Sequence, residues 1–227
     1  MIKVENIEVF NFEGAIRGMR NPLNSWAKSD SYDYGDDFDG GYSEYGLGGF
    51  SVGTDDLSLM KRLYKAGTEH RKYLRQIFVS MDITAPLYWF KEFDTYKVGT
   101  VANSCSTMHK LAAKEFELDD FSHDHIVEHC IGIKCGYSIE PMIGLKSTIS
   151  LLNDCRKRYL EEHDKKYWYT MVQLLPSSYN QRRTITMNYE NVITMIKQRT
   201  GHKLDEWNEF VNVLKEFPYI KEIMGEE

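Results

Sequence analysis

The chain has 227 residues, of which 42% are hydrophobic, enough to build the core of one large domain or two small ones. Its formal net charge of −6 argues against a general nucleic-acid-binding protein, because phosphate neutralisation needs clustered lysine and arginine. No apolar run has the length of a signal peptide or a membrane-spanning helix, and the four cysteines lack a disulfide-framework spacing. We therefore expect one cytoplasmic domain over residues 1–227, without a nucleic-acid or membrane partner.

The first quarter of the chain contains a predicted strand, a turn and a long loop. Apolar and polar residues alternate over residues 2–12, which predicts an opening strand. Asn21-Pro22 predicts a turn that begins a short helix. Residues 29–53 are rich in Gly, Tyr and Asp and nearly free of aliphatic side chains, so they predict a long loop. Such a loop is either a mobile lid or a packed insertion.

The second quarter alternates predicted helices with one strand. Asp55-Asp56 indicates the start of a helix that Gly67 ends. Residues 77–83 predict a strand with its odd-numbered side chains buried. Thr84 is the expected N-terminal cap of the next helix, with Pro86 near its first turn. Residues 110–118 predict a further helix.

A histidine cluster is the best metal-ligand candidate in the sequence. His123, His125 and His129 lie close together beside Cys130, and imidazole and thiolate are both zinc ligands. His125 and His129 share a helical face, but His123 lies off it and no second Cys/His pair is nearby. The alternatives are a metal site and a helix start with surface histidines. We predict no metal site.

The last third of the chain contains the most specific spacing. An amphipathic helix is predicted over residues 141–159, and the stretch LPSSYNQRRTITMNYENVITMIKQR follows at residues 175–199. It opens with Leu175-Pro176 and places Arg182, Asn188 and Arg199 at fixed intervals. Thr184-Ile185-Thr186 favours a strand, and Val192, Ile193 and Ile196 form one apolar helical face. Residues 204–214 predict a last helix.

This spacing resembles the C-terminal signature of the flavin-dependent thymidylate synthases, the ThyX family. The resemblance extends from about residue 70 to residue 218 and implies an α/β (α+β) fold with a mostly antiparallel central sheet and a helical segment. It also implies a homotetramer whose active sites form between subunits. The family transfers a one-carbon unit from methylenetetrahydrofolate to the uracil ring of dUMP, with reduced FAD as the hydride carrier and NADPH as the reductant.

The chain departs from the family at the central RHRxxSxNExSxRY motif and at later arginines. Thr95 and Thr107 replace two arginines of the motif, and Lys97 replaces a third. Glu190 and Glu209 stand where the family has further arginines. A unit-charge pair near 4 Å interacts by roughly 4 kcal/mol at an effective dielectric constant of about 20. The two glutamates therefore predict repulsion of a nucleotide phosphate.

The resemblance assigns site residues one by one. Arg182 is the expected catalytic residue and also contacts the pyrimidine, while Arg199 is expected to be structural. The other expected ligands of the substrate are Lys91, Asn103 and Cys105. The expected ligands of FAD are His70, Lys97, Thr100 and Asn188.

Three hypotheses follow. The first is a flavin-dependent enzyme, thymidylate synthase-like, that acts on a pyrimidine deoxynucleotide such as dUMP and has diverged in substrate or activity. The second is a catalytically inactive homologue that serves as a nucleotide-binding or oligomeric scaffold. The third, a small metal-binding regulatory protein, depends on the histidine cluster alone.

Overall fold

A computed structural model describes residues 2–33, 49–107, 110–127, 129, 131–132 and 138–225 of the chain. The main sheet has four strands: β1 (Lys3–Phe10), β4 (Phe78–Pro86), β5 (Val101–Ser104) and β8 (Asn180–Asn188). Their spatial order is β1-β4-β8-β5. Two short antiparallel pairs join β2 (Tyr32–Asp33) to β3 (Phe50–Ser51) and β6 (Ile131–Gly132) to β7 (Ser138–Ile139).

Eight α-helices occur in the described residues. They are α1 (Phe12–Arg20), α2 (Thr54–Lys65), α3 (Leu87–Phe93), α4 (Pro141–Glu162), α5 (Lys165–Leu174), α6 (Tyr189–Arg199), α7 (Asp205–Lys215) and α8 (Ile220–Met224). None of these helices is long and apolar enough to cross a membrane.

The described residues divide into two compact units. The α4–α5 unit consists of residues 84–93 and 104–182, and the α6–α7 unit consists of residues 2–83, 94–103 and 183–225. Strands β4, β5 and β8 each have residues in both units.

The α4–α5 unit has its own apolar core. The core side chains come from α4, α5 and the segment before α4, and they are Leu111, Phe116, Phe121, Leu145, Ile149, Leu152, Cys155 and Met171. Asn153 fixes that segment, because its amide accepts from the Phe116 N–H at 2.8 Å and donates to the Phe116 carbonyl at 2.9 Å. The predicted amphipathic helix over residues 141–159 is confirmed as α4.

The α6–α7 unit buries one face of a strand and one face of a helix, as predicted. Val79, Met81 and Ile83 of β4 are at most 1% exposed, which confirms the predicted period of two. The predicted apolar face of α6 is also buried. The predicted last helix is confirmed as α7, and Trp207 at its core is fully buried.

Three sequence predictions about elements are wrong. Thr84 does not cap a helix, because β4 continues through Pro86 and α3 begins at Leu87. The first N–H groups of α3 donate instead to the carbonyls of Ser177 and Tyr179. Residues 110–117 form turns, bends and irregular chain instead of a helix, and a short 3-10 helix follows at Leu118–Asp120. The chain from Phe12 forms helix α1 where only a turn and a short helix were expected.

The two ends of the Gly/Tyr/Asp-rich loop are anchored to α2, while residues 34–48 lie outside the described part of the chain. The Asp30 carboxylate accepts from the N–H groups of Asp55 and Asp56 at the start of α2. The Ser31 hydroxyl accepts from the Gly53 N–H at 3.0 Å. Strands β2 and β3 pair next to these contacts, so the described ends of the loop form a packed base.

Candidate functional site

Strand β8 and helix α6 carry the signature residues of the sequence. Asn188 ends β8, and its Oδ1 accepts from the Asn191 N–H at 3.1 Å, so that it caps α6. The Asn191 side chain in turn donates to the Val98 carbonyl at 2.8 Å. Asn188 therefore directly precedes helix α6, and Arg199 is the last residue of that helix.

A cavity of about 240 Å³ lies at the start of α6, and we call it the Asn188 cleft. It is lined by Arg75, Val98, Asn188, Glu190, Asn191 and Thr194. Asn188 is only 7% exposed. Gly99 lies so close that a Cβ atom there would be 2.5 Å from Asn188 Nδ2. The buried hydroxyl of nearby Thr100 has no hydrogen-bond partner within the described residues.

Substituting alanine for Gly99 is expected to lower the free energy of unfolding by about 2–3 kcal/mol, measured by urea denaturation. Gly99 has a φ of 76°, which disfavours any side chain, and the added Cβ also displaces the cap residue Asn188. Gly201→Ala is the matched control, because Gly201 has a φ of 73° with no atom within 4 Å of its Cβ position. Equal losses in the two variants would show that the contact with Asn188 contributes nothing.

Glu190 is compensated by two arginines, which corrects the predicted repulsion at this position. Its Oε1 is 3.0 Å from Arg71 Nε, and its Oε2 is 3.5 Å from Arg75 Nε. The Glu190 side chain is 18% exposed, so these pairs are partly shielded from water. The three side chains together carry one net positive charge. Glu209, the other glutamate in question, is exposed on α7.

Arg199 is held by aromatic side chains. Its guanidinium lies 4.6 Å from the Trp207 ring centre and 5.6 Å from that of Tyr96. Its Nε donates to the Tyr96 hydroxyl at 2.9 Å, and its Nη1 is 3.1 Å from His202 Nε2. These contacts agree with the structural role expected for Arg199.

A second cavity, of about 260 Å³, lies in the α4–α5 unit, and we call it the Arg182 cleft. It brings together two of the predicted site residues, Arg182 and Cys105. The Cys105 N–H donates to the Arg182 carbonyl at 2.9 Å. Lys114 and Tyr179 also line this cleft. A cation, a thiol and a phenol therefore line one cavity together with Asp119 and Asp120.

The other predicted site residues do not line either cleft. His70, Lys91, Lys97 and Asn103 are exposed, although Lys97 directly precedes Val98 of the Asn188 cleft. The predicted site residues are thus spread over the two units, each of which is described by itself. Their roles remain predictions.

The histidine cluster has ordinary polar contacts. His123 Nδ1 is 2.8 Å from the Phe121 carbonyl, and His125 and His129 are exposed. Cys130 lies outside the described residues. In the part of the chain that the structure describes, no group of three or more His, Cys, Asp or Glu side chains is arranged to hold a metal ion.

Sequence reasoning missed several residues that form the two clefts. Arg71 and Arg75 are four residues apart, a spacing that places two side chains on the same side of a helical turn. This spacing was the signal in the sequence that could have identified the two arginines. Lys114 and Asn180 gave no signal, because each depends on contacts that only the folded chain provides. Lys114 pairs with Asp120 at 2.5 Å, and Asn180 donates to the Asp119 carbonyl at 3.3 Å.

Comparison with solved structures shows which fold the chain has. No protein-family model and no curated protein matches the chain. Among solved structures, thymidylate synthase X from Helicobacter pylori, crystallised with FAD and dUMP, matches with a TM-score of 0.63 and 15% identity. That match covers 98% of this chain and 96% of the other. A second structure of the Helicobacter pylori enzyme with FAD and dUMP has a TM-score of 0.61, 16% identity and 96% coverage of both chains.

A UMP/dUMP methylase from Streptomyces cacaoi, bound with 5-Br dUMP, matches with a TM-score of 0.59 and 12% identity, over 95% of this chain and 88% of the other. The chain thus has the fold of thymidylate synthase X: a mixed α/β architecture with an antiparallel sheet and, within the described residues, eight helices. The predicted fold class is confirmed. The predicted homotetramer stays a prediction.

Proposed function

We propose that the chain is a flavin-dependent enzyme that transfers a methylene group and a hydride to a pyrimidine deoxynucleotide such as dUMP. The observation that carries this proposal is the Arg182 cleft, where Arg182 and Cys105 line one cavity in a chain with the thymidylate synthase X fold. A guanidinium makes paired, charge-assisted hydrogen bonds to a carbonyl or phosphate. Methylenetetrahydrofolate and NADPH are the proposed co-substrates.

Residues of the Asn188 cleft and its margin fit a flavin cofactor. The unpartnered Thr100 hydroxyl and the amide of Asn188 supply hydrogen-bonding groups for ring heteroatoms, and Arg75 supplies a cation for a phosphate. Asn188, Thr100, Arg75 and Lys97 would hold FAD there, with His70 as a further proposed ligand. When bound, FAD supplies the hydride. The protein side chains hold and orient the two ligands.

The test is the visible absorbance spectrum of the purified protein after incubation with FAD and removal of free flavin, followed by calorimetric titration with dUMP. Retained flavin bands together with dUMP binding support the proposal. The matched pair is Lys97→Ala, which should weaken flavin retention, and Lys203→Ala, an exposed lysine outside both clefts, which should not.

The other outcomes separate the alternatives. Binding of dUMP without any flavin would favour the catalytically inactive, nucleotide-binding homologue. Failure to bind either ligand would overturn the proposal.

The compensation of Glu190 by Arg71 and Arg75 favours the enzyme, because it removes one predicted source of phosphate repulsion. The proposed assembly is a homotetramer in the cytoplasm. Light scattering of the purified protein tests the number of subunits.

A further inference from the structure

Glu190 lines the Asn188 cleft, and one of its two carboxylate oxygens makes no hydrogen bond within the described residues. Its Oε1 accepts from Arg71 Nε at 3.0 Å. Its Oε2 is buried, and Arg75 Nε lies 3.5 Å from it, an ion pair without hydrogen-bond geometry. A buried acceptor without a donor is costly to the folded protein. Because a carboxylate oxygen only accepts, a ligand N–H or O–H group would satisfy Oε2, whereas a phosphate oxygen would not.

Two other groups of the same unit supply hydrogen-bond donors beside this acceptor. Asn188 is 7% exposed, and its Oδ1 accepts from the Asn191 N–H, which leaves its Nδ2 for a different acceptor. A Cβ atom at Gly99 would lie 2.5 Å from this Nδ2, so the amide faces the chain at Gly99. Thr100 follows, and its buried hydroxyl has no hydrogen-bond partner among the described residues. One acceptor, one amide donor and one hydroxyl are therefore present together.

The size and charge of the cleft indicate which part of FAD fits it. Its volume of about 240 Å³ is below the roughly 300–1,000 Å³ of pockets that enclose a whole drug-sized ligand, so it holds one portion of FAD. Glu190 disfavours a phosphate inside the cleft, while Arg75, whose side chain is 45% exposed, is accessible to a phosphate from solvent. A ring therefore fits the cleft better than the pyrophosphate does.

The flavin ring matches the hydrogen-bonding groups of the cleft more completely than adenine does. Its imide edge consists of an N–H group, N3–H, between two carbonyl groups, and this edge pairs with one acceptor and two donors. The adenine edge has one ring-nitrogen acceptor beside its amino group, so it would leave one donor of the cleft without a partner.

Resting on the proposed function, we propose that the Asn188 cleft binds the imide edge of the flavin ring and that Glu190 determines this specificity by accepting a hydrogen bond from N3–H. Asn188 Nδ2 and the Thr100 hydroxyl donate to the two carbonyl groups. Arg71 and Arg75 hold the Glu190 side chain in place. The resemblance to the ThyX family places an arginine, which only donates, at position 190. An accepting contact at this position is therefore particular to this chain.

The test compares FAD with 3-methyl-FAD, in which a methyl group replaces the N3 proton, by calorimetric titration of the full-length protein. Hydrogen bonds to a charged group contribute about 1.5–3 kcal/mol, so methylation should weaken binding by about ten- to a hundredfold. In Glu190→Ala the two flavins should bind within about threefold of each other. Comparing two ligands within each variant cancels the effect of the substitution on Arg71 and Arg75.

Glu190→Gln separates the hydrogen bond from the bulk of the methyl group. Glutamine has nearly the size of glutamate but no charge, so the loss on methylation should fall below about tenfold. An equal loss in Glu190→Gln and the unchanged protein would show that the methyl group is excluded by size alone, and would overturn the proposal. Glu222→Ala is the matched control, because Glu222 is an exposed glutamate on α8 outside the cleft, and it should keep the full loss.

The remaining outcomes separate this inference from the proposed function. Equal affinities of FAD and 3-methyl-FAD for the unchanged protein, or an undiminished loss in Glu190→Ala, would overturn the role of Glu190 and leave the proposed function standing. The uracil ring of dUMP has the same imide edge, so displacement of FAD by excess dUMP would assign the cleft to uracil and overturn the inference. Absence of FAD binding would overturn both proposals.

Discussion

Replacing Asp56 with alanine is expected to lower the free energy of unfolding by about 3–5 kcal/mol, because it leaves a buried cation without its partner. Asp56 is fully buried, and its Oδ1 accepts from Arg20 Nε at 2.6 Å. Its Oδ2 accepts from Ser29 Oγ, from the Asp30 N–H, and from both the N–H and the hydroxyl of Ser31. The measurement is urea denaturation of the purified variant.

Asp55→Ala is the control for this prediction. The Asp55 side chain is exposed, while its N–H donates to Asp30 and is unaffected by the substitution. We expect a loss below about 1 kcal/mol, the scale of a helix-dipole contribution in the first turn of α2. Similar losses in Asp55→Ala and Asp56→Ala would contradict a special role for the buried pair.

The lowered pKa of the Asp56 carboxylate predicts how the free energy of unfolding depends on pH. Burial alone would raise the pKa of Asp56, but hydrogen bonds from Ser29, Ser31 and Arg20, with the Arg20 charge, outweigh it and lower that pKa. A group whose pKa is lowered by folding stabilises the protein above its unfolded pKa of about 3.9. That contribution is lost as the pH falls through the folded value. Below about pH 4 the unchanged protein should therefore lose stability more steeply than Asp56→Ala.

Local patterns in the sequence were sufficient for several elements of the fold. The alternation in β4 and the apolar face of α6 follow from short-range periodicity. Helix α1 was missed because it contains Gly14 and Gly18, which lower helix propensity. Its N-cap, Asn11, has a left-handed φ of 69°, and no pattern in the sequence indicates that backbone conformation.

Long-range charge pairs account for most of what could not be predicted. Asp56 was expected at a helix start, but its side chain points to Arg20, which is distant in sequence, instead of to solvent. Glu190 was expected to be an isolated negative charge, yet Arg71 and Arg75 compensate it from more than a hundred residues away. Sequence spacing therefore identified positions of the candidate site, but the electrostatics of each position depended on tertiary contacts.

Arg182→Ala is expected to weaken dUMP binding by about ten- to a hundredfold, measured by calorimetry, because hydrogen bonds to a charged group contribute about 1.5–3 kcal/mol. Arg182 is exposed, and substitutions of exposed side chains usually change the free energy of unfolding little, so we expect a change of less than about 0.5 kcal/mol. Arg17→Ala is the control, since Arg17 is a 68% exposed arginine on α1 outside the Arg182 cleft. Unchanged dUMP binding in Arg182→Ala would remove Arg182 from the site.

The Arg182→Lys variant separates the contribution of the positive charge from that of the paired N–H donors. Lysine keeps the positive charge but loses the planar pair of N–H donors that a ring carbonyl or a phosphate accepts. If the charge alone matters, Arg182→Lys should bind dUMP within about threefold of the unchanged protein. We expect a larger loss, close to that of Arg182→Ala.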